Sequence, residues 1–222
     1  MPRVADHEER RQQVAAAAGR LIATEGLKAA TVAKTAAAAG ISVGLVQHYF
    51  RTKDEMLLFT YRHVLETVEH RLAELVVRSE KAGTRIEHTL LDGLAETMPL
   101  DEQRRQECRV ALAFTGRAVD DPDLAEVKAG ALRRLRSLIA TAVTNAKECG
   151  EVPPSTDAAT EAARIAAYTD GLTAHLCADP SGLHPDAALA ALGDHLAGVF
   201  TGECLLRGKE PGVRPGRAGG PS

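Results

Sequence analysis

The chain has 222 residues, a formal net charge of −3, 45% hydrophobic residues, 3% aromatic residues and no tryptophan. This length allows one or two domains with a sizeable core, which must be aliphatic and alanine-rich. Abundant alanine favours helices, and no run of alternating β-branched residues lies between turns, so we expect an all-α fold. Without a signal peptide or an apolar stretch of about 18 residues, we expect a cytoplasmic protein with no membrane partner.

Charge is distributed unevenly along the chain. Residues 1–55 carry eight Lys/Arg and six Asp/Glu, a net charge of +2, which leaves −5 for the remainder. Because residues 1–55 are basic and the remainder is acidic, the electric field of the protein orients residues 1–55 toward phosphates. Arg3, Arg10 and Arg11 are candidates for phosphate or minor-groove contacts; the alternative is a solvated, charged helix end.

The residues that carry enzyme or metal chemistry are not grouped in the sequence. Cys108, Cys149, Cys177 and Cys204 are far apart, and there is no C-x-x-C pair or histidine cluster. We therefore expect separate thiols, with neither a metal site nor a disulfide framework. A nucleophile with a nearby base and a glycine-rich phosphate loop are also absent, which argues against an enzyme and against a cofactor.

The first predicted helix begins near Asp6, which has capping-box spacing with Glu9, and ends at Gly26. Its apolar stripe consists of Val14, Ala18, Leu21 and Ile22. We expect this helix to support the segment that follows.

The segment from Thr31 to Phe50 has the capping and turn residues that are typical of a helix-turn-helix. Thr31 can cap a helix, and Gly40 can end it in the left-handed conformation. Ser42 is a second N-cap, so the chain stops and restarts within about three residues. The apolar side of the second helix is formed by Leu45, Val46 and Phe50.

The other side of this second helix carries Val43, Gly44, Gln47, His48 and Tyr49. A short exposed helix with these groups suits a major groove, where base edges present donors and acceptors. Gln47 can pair with an adenine edge, and Val43 and His48 are the alternative base readers.

A third cap follows at Thr52, with Glu55 at capping-box spacing, so a long helix is predicted from Lys53 to about Ser79. It begins at the predicted DNA site and ends deep in the body. It is therefore the helix that can transmit a change in the body to the DNA site. Lys53 lies on a helix N-terminus that also favours a phosphate. The predicted phosphate contacts are Thr31, Lys34, Ser42, Tyr49 and Lys53.

Residues 40–57, G-I-S-V-G-L-V-Q-H-Y-F-R-T-K-D-E-M-L, resemble the signature of the tetracycline-repressor (TetR) family of bacterial regulators. The family pattern is roughly G-V-S-x-G-x-[IVL]-Y-x-[HY]-F-x-x-K-x-x-[LM]-[LF], and the resemblance covers about residues 10–57. Gln47 stands where an aromatic residue is usual, and this H-Y-F form resembles the branch around the choline-responsive BetI-type repressors. The resemblance implies three helices for DNA and about six for a ligand-binding, dimerising body.

The body is predicted to contain six helices. They run from Lys53 to about Ser79, from Thr84 to before Pro99, from about Asp101 to Val119, from Asp121-Pro122 to Gly150, from Ser155-Thr156-Asp157 to about Cys177, and from Pro185 through Phe200. The tail after Leu206 has little apolar content and is expected to be disordered. The predicted division is therefore 1–52 (DNA binding), 53–206 (body) and 207–222 (tail).

A single short recognition helix reads too few base pairs for useful specificity, so we expect a homodimer on a palindromic operator in double-stranded DNA. The last two helices are the candidates for the interface, the alternative being core packing within one chain. The candidate residues are Asp170, Gly171, Ala174, Leu189, Leu192 and Leu196.

By resemblance, a small-molecule effector binds in the body. The candidate lining residues, each with the alternative of a satisfied or surface side chain, are His88, Leu91, Arg109, Leu112, Thr115, Tyr168, Leu172 and His175. Few aromatics favour an aliphatic effector over a flat aromatic cation. The resulting hypothesis is a ligand-responsive, DNA-binding repressor; the alternative is a helical module that serves protein contacts without specific DNA binding.

Overall fold

The computed structural model describes residues 2–204, with side chains from residue 7 onward. Within this range the chain forms nine α-helices, one short 3₁₀ helix (Leu27–Ala29) and no strand, which confirms the all-α prediction. The helices are α1 Pro2–Glu25, α2 Val32–Ala39, α3 Val43–Tyr49, α4 Lys53–Ala82, α5 Ile86–Ala95, α6 Glu102–Arg117, α7 Pro122–Cys149, α8 Ala158–Ala178 and α9 Pro185–Ala197. The predicted disordered tail, 207–222, lies outside the described residues.

Aspartate side chains begin three of the body helices. Asp101, Asp121 and Asp157 each accept a hydrogen bond from the backbone N–H three residues on, at 2.8, 3.2 and 2.7 Å. Each bond satisfies one of the N–H groups that a helix leaves unpaired in its first turn. These local caps explain why the starts of α6, α7 and α8 agree with the sequence pattern.

The start of α5 differs from its predicted cap, Thr84. The N-cap is Arg85, whose side chain makes no capping bond. The carboxylate of Glu151 instead accepts hydrogen bonds from the backbone N–H groups of Ile86 (3.3 Å) and Glu87 (3.2 Å). Glu151 is 1% exposed, and its charge is balanced by the helix N-terminus and by Arg85, 3.8 Å away.

Four other helix boundaries also differ from prediction, and one of them is the end of α4, at Ala82 rather than at about Ser79. Helix α1 begins at Pro2 rather than near Asp6, α5 ends at Ala95 rather than near Pro99, and α9 ends at Ala197 rather than at Phe200. After α5, backbone hydrogen bonds join residues three apart, as in a 3₁₀ turn. For example, the Met98 N–H donates to the Ala95 carbonyl.

Two apolar clusters form the interior. The larger one joins α5, α7, α8 and α9, and its largest fully buried members are Leu94, Met98, Ile139, Ile165, Leu192 and Leu196. The smaller one joins the first four helices to α6 and α7, with Met56, Leu57 and Tyr61 against Val110, Phe114 and Leu124. The packing of the first three helices therefore continues across residue 52, and the domain division there stays a prediction.

Helix α4 is fixed to the body by one arginine. Arg71 donates to Glu96 at 2.8 Å and to both carboxylate oxygens of Glu107 at 2.9 and 2.6 Å. All three side chains are at least three-quarters buried, which reduces screening by solvent. The hydrogen bonds that Arg71 donates to Glu107 are the main reason that the pKa of Arg71 lies above its ordinary value. This ion pair network connects α4 with α5 and α6.

Tyr61 makes stability sensitive to alkaline pH. It is 1% exposed, and burial raises its pKa from 10.0 to about 12. Because the unfolded chain releases the phenolic proton first, this contribution is complete below pH 10 and is lost as pH rises from 10 to about 12. A shift of this size corresponds to about 2–3 kcal/mol. Chemical unfolding from pH 8 to 11.5 should show the loss in the wild type and in Tyr168→Phe, but not in Tyr61→Phe. Equal alkaline losses in all three proteins would contradict this.

Candidate nucleic-acid interface

Helices α2 and α3 are joined by a tight turn whose ends are capped as the sequence predicts. The Thr31 hydroxyl accepts the N–H of Lys34 at 3.2 Å, and the Ser42 hydroxyl accepts that of Leu45 at 3.1 Å. Between them, Gly40 has φ 68°, the left-handed conformation that ends α2. The next N–H, of Ile41, closes the turn on the Ala36 carbonyl at 3.0 Å. The helix-turn-helix geometry follows from these local bonds.

Helix α3 has one buried and one exposed side. Val46 and the C-cap Phe50 are 0% and 2% exposed. On the opposite side, the exposed residues of α3 are Val43, Gly44, Gln47 and His48. The polar groups of this side are therefore free to meet base edges.

Gly44 leaves open space on the exposed side of α3. A Cβ atom built at this position would meet no other atom within 4 Å, and the backbone does not need a positive φ there. A glycine inside a helix costs roughly 0.5–1 kcal/mol relative to alanine. The fold gives no reason for glycine here, and the position leaves room for another molecule to come close to the α3 backbone.

The predicted phosphate contacts surround α3. Thr31, Lys34 and Ser42 are exposed, whereas Tyr49 and Lys53 are partly exposed. Lys34 is paired with Glu25 at 2.6 Å, and both side chains are about half exposed. Exposed pairs of this kind contribute little, about 0–1 kcal/mol, so a phosphate can replace the Glu25 carboxylate.

The start of α4 is capped almost as predicted. The Thr52 hydroxyl accepts the N–H of Glu55 at 3.0 Å, and the Glu55 carboxylate accepts the N–H of Arg51 at 2.9 Å. The return bond goes to Arg51 rather than to Thr52, one residue from the standard capping box. This arrangement places Lys53 in the first helical position, close to the end of α3.

Helix α1 packs against the helix-turn-helix and the start of α4. The Gln13 amide donates to the Ala39 carbonyl at 2.9 Å. The guanidinium of Arg11 lies over the rings of Phe50 (5.0 Å) and Phe59 (4.2 Å), a cation–π contact that joins α1 to the end of α3 and to α4. Arg11 therefore has a structural contact besides its predicted role at phosphates. The Arg3 side chain lies outside the described residues.

The candidate effector residues are spread over α5, α6 and α8. Leu91 and Leu172 pack against the larger core, and the other candidates are mostly at the surface, with His88, Arg109 and His175 exposed. Leu112 is 41% exposed, and Tyr168, 38% exposed, stacks on His195 of α9. Thr115 donates to the Ala111 carbonyl of its own helix.

Two surface depressions were found elsewhere in the described part of the chain. One, of about 340 Å³, lies between α4 and α7, and the other, of about 280 Å³, lies where α4 begins. Neither of these two depressions is lined by a candidate effector residue, so the effector site among the candidates stays a prediction.

The candidate dimer residues divide into two groups. Asp170, Gly171 and Ala174 are exposed on α8, and Leu189 is partly exposed on α9. Leu192 and Leu196 are 0% exposed and belong to the larger core, so assigning them to a dimer interface was wrong. Side chains that are already fully buried within the chain have no surface to offer a partner.

The sequence did not reveal that the cysteines meet in pairs. Cys108 on α6 interacts with Cys177 on α8, and Cys149 at the end of α7 interacts with Cys204. The sulfur atoms of Cys149 and Cys204 and a carboxylate oxygen of Glu151 lie within 4.8 Å of one another. Both Glu151 oxygens already cap α5. Only the packing of distant helices creates these pairs, so no local spacing could have shown them.

Comparison with known proteins agrees with this geometry. A family model described as the C-terminal region of BetI-type transcriptional repressors matches residues 86–201, and one for bacterial regulatory proteins of the tetR family matches residues 14–58. The chain belongs to the TetR family. It is a DNA-binding transcriptional regulator of the repressor type and not an enzyme. In the described part of this TetR-family chain, no helix is long and apolar enough to cross a membrane.

Named relatives and solved structures extend the similarity over most of the chain. The regulator PksA of Bacillus subtilis is 32% identical over 200 residues, which cover 90% of this chain and 94% of PksA. BetI of Burkholderia cenocepacia is 32% identical over 173 residues, 78% of this chain and 84% of BetI. A transcriptional regulator from Rhodococcus sp. Rha1 has a TM-score of 0.75 at 31% identity, covering 86% of this chain and 96% of the other.

A second solved structure shows the fold alone. It is a transcriptional regulator from Saccharomonospora viridis in complex with choline, with a TM-score of 0.77 at 22% identity, covering 85% of this chain and 96% of the other.

Proposed function

We propose that this TetR-family regulator represses transcription in the cytoplasm by binding a palindromic operator as a homodimer, and that a small-molecule effector weakens the binding. The observation that carries the proposal is the exposed side of α3, where polar groups and an unfilled glycine position lie opposite a buried apolar side. A helix of this width and polarity fits the major groove.

Different residues of the interface have different roles in this proposal. Gln47 reads a base edge, and Val43 and His48 lie beside it on α3. Gly44 lets the helix backbone come close to the DNA. Phosphate contacts, which fix the register without reading sequence, come from Thr31, Lys34, Ser42, Tyr49 and Lys53.

Small exposed residues on α8 support the homodimer. Ala163, Ala167, Gly171, Ala174 and Ala178 are all exposed and recur at helical spacing. A strip of this kind lets a second helix approach closely, and two-fold symmetry pairs it with the same strip of another chain. Asp170 is next to Gly171 on α8, and Leu189 is partly exposed on α9. A dimer places two α3 helices on the two halves of a palindrome.

The effector acts, in this proposal, through α4. This helix begins at Lys53 beside α3 and is held by Arg71 in the body. At its start, Asp54 is paired with Arg117 of α6. The candidate effector residues lie on α5, α6 and α8 and line neither depression, so binding among them would separate these body helices. A ligand that selects this arrangement disfavours the DNA-competent one.

The placement of aromatic residues supports an aliphatic effector. Five of the seven aromatic residues lie between Tyr49 and Phe114, and only Tyr168 and Phe200 lie beyond them. Phe200 is 3% exposed, and Tyr168 already stacks on His195. Aromatic cages bind quaternary ammonium groups, so the neighbour's ligand choline is a poor match for this chain.

Gln47→Ala should lower affinity for the operator by about 1–3 kcal/mol and relax base preference at one position. The measurement is fluorescence anisotropy with a labelled duplex selected from a random pool by the wild-type protein, and with duplexes changed at single positions. Gln103→Ala, an exposed glutamine on α6, is the matched control and should bind like the wild type. Unchanged base preference in Gln47→Ala would move base reading to Val43 and His48.

The same titration tests the other parts of the proposal. At saturation we expect two chains per duplex; one chain per duplex would contradict the dimer. Choline added at millimolar concentration should leave the affinity unchanged. Release of the DNA by choline would contradict the aliphatic effector and place this chain with its choline-bound neighbour.

A further inference from the structure

Cys108 and Cys177 bring two thiols together between α6 and α8. Cys108 is 7% exposed, and its thiol donates to the Thr97 carbonyl at 3.3 Å. Cys177, which interacts with it, is partly exposed. The two helices are held in this position by the surrounding core, so the contact does not depend on a flexible loop.

The surroundings make the two thiols chemically different. The interaction with the Cys108 thiol lowers the pKa of Cys177 to about 7, and the guanidinium charges of Arg109 and Arg105 act in the same direction, against burial. The pKa of Cys108 is raised, first by its interaction with Cys177 and then by burial. An accessible thiolate next to a buried thiol is the arrangement of an attacking and a resolving cysteine.

The other thiol pair also joins a buried cysteine to a partly exposed one, but its neighbour is a carboxylate rather than two guanidinium groups. Cys149 is 4% exposed, and burial is the main reason that its pKa is raised. The nearby Glu151 carboxylate adds a negative charge that also disfavours a thiolate. Cys149 and Cys204 thus provide a comparison within the same chain.

We propose that Cys108 and Cys177 form a redox site that hydroperoxides oxidise to a reversible disulfide. The Cys177 thiolate attacks one peroxide oxygen, forming a sulfenic acid while the O–O bond breaks and hydroxide leaves. The Cys108 thiol then attacks the sulfenic sulfur, the S–S bond forms, and water leaves. In total, two thiols and one hydrogen peroxide give one disulfide and two waters, and an external thiol reverses the reaction.

A regulatory effect of this disulfide rests on the proposed function. Next to Cys108 on α6, Arg109 donates to the Ala23 carbonyl of α1 at 3.3 Å. Helix α1 in turn holds the end of α2 through Gln13. A disulfide has a specific geometry that shifts α6 relative to α8, and this connection carries the shift toward the DNA interface.

The test treats the reduced full-length chain with hydrogen peroxide and maps disulfides by mass spectrometry of an unreduced digest. We expect one linkage, between the peptides that contain Cys108 and Cys177, which dithiothreitol removes. It should persist in the double variant Cys149→Ser/Cys204→Ser and be absent in Cys177→Ser. In Cys108→Ser, dimedone should label Cys177 as a sulfenic acid. No linkage between Cys108 and Cys177, or linkage of only Cys149 with Cys204, would overturn the proposal.

A parallel anisotropy titration measures affinity for the selected duplex before and after oxidation. We expect a change of about fivefold or more, the lower range of allosteric couplings, which is reversed by dithiothreitol and absent in Cys177→Ser. An unchanged affinity in fully linked protein would overturn the regulatory effect. If the reduced protein fails to bind any duplex, the proposed function fails, whereas the disulfide map still decides on the redox site.

Discussion

Replacing Gly44 with leucine should weaken binding to the selected operator at least tenfold, about 1.4 kcal/mol, without unfolding the protein. A Cβ atom at this position has no other atom within 4 Å, so the first atom of a new side chain meets nothing in the free protein. In the complex it would occupy the gap through which the α3 backbone approaches the DNA. Anisotropy for binding and chemical unfolding for stability measure the two effects on the same samples.

The chain offers a matched control for this change at Gly116. This glycine lies in α6, is exposed, and also has no atom within 4 Å of a built Cβ. Gly116→Leu should leave operator binding unchanged. Gly44→Ala should raise the free energy of unfolding by roughly 0.5–1 kcal/mol, because glycine loses more backbone freedom in a helix. Normal operator binding by a folded Gly44→Leu variant would show that α3 does not approach DNA at this position.

Phe114→Ala should lower the free energy of unfolding by about 3–5 kcal/mol. Phe114 is fully buried in the smaller core, and its ring stacks on Tyr61 with 4.8 Å between the centroids. Its removal leaves a cavity between α4 and α6, where the core of the first helices meets the body. The lost packing should also separate the start of α4 from α6. DNA binding should therefore fall at urea concentrations near the midpoint of unfolding. Urea unfolding followed by circular dichroism gives the stability change.

Two further variants show whether burial of Phe114 is the cause. Phe114→Leu retains most of the apolar volume and should lose clearly less stability than Phe114→Ala. Leu112→Ala, on the same helix but 41% exposed, should change stability by no more than about 0.5 kcal/mol. Equal losses for Phe114→Ala and Leu112→Ala would contradict the described packing.

Features that depend on neighbouring residues were predictable from the sequence. The caps at Thr31, Ser42 and Thr52 and the left-handed Gly40 all act within four residues, and the structure confirms them. The exposed side of α3 follows from the same spacing. For this reason the helix-turn-helix and the division of α3 into two sides could be derived without a structure.

Features made by distant segments were not predictable in this way. The cap of α5 comes from Glu151, 65 residues later, and the thiol pairs join helices that are far apart in sequence. Helical spacing marked Leu192 as apolar but could not show whether it faces the core or a partner. Helical spacing likewise could not show which candidate effector residues face one another, since a pattern gives the side of a helix and not its neighbour.

The salt dependence of operator binding tests the central claim, that the exposed surface of α3, together with Lys34 of α2 and Lys53 of α4, binds DNA. The measurement is anisotropy of the wild type with the selected duplex across several salt concentrations. Lys34 and Lys53 give two charged phosphate contacts per chain, so a dimer should show a plot of log K against log salt with a slope of about −3 to −4. Lys34→Ala should make this slope shallower. No binding, or binding with a slope near zero, would contradict the account.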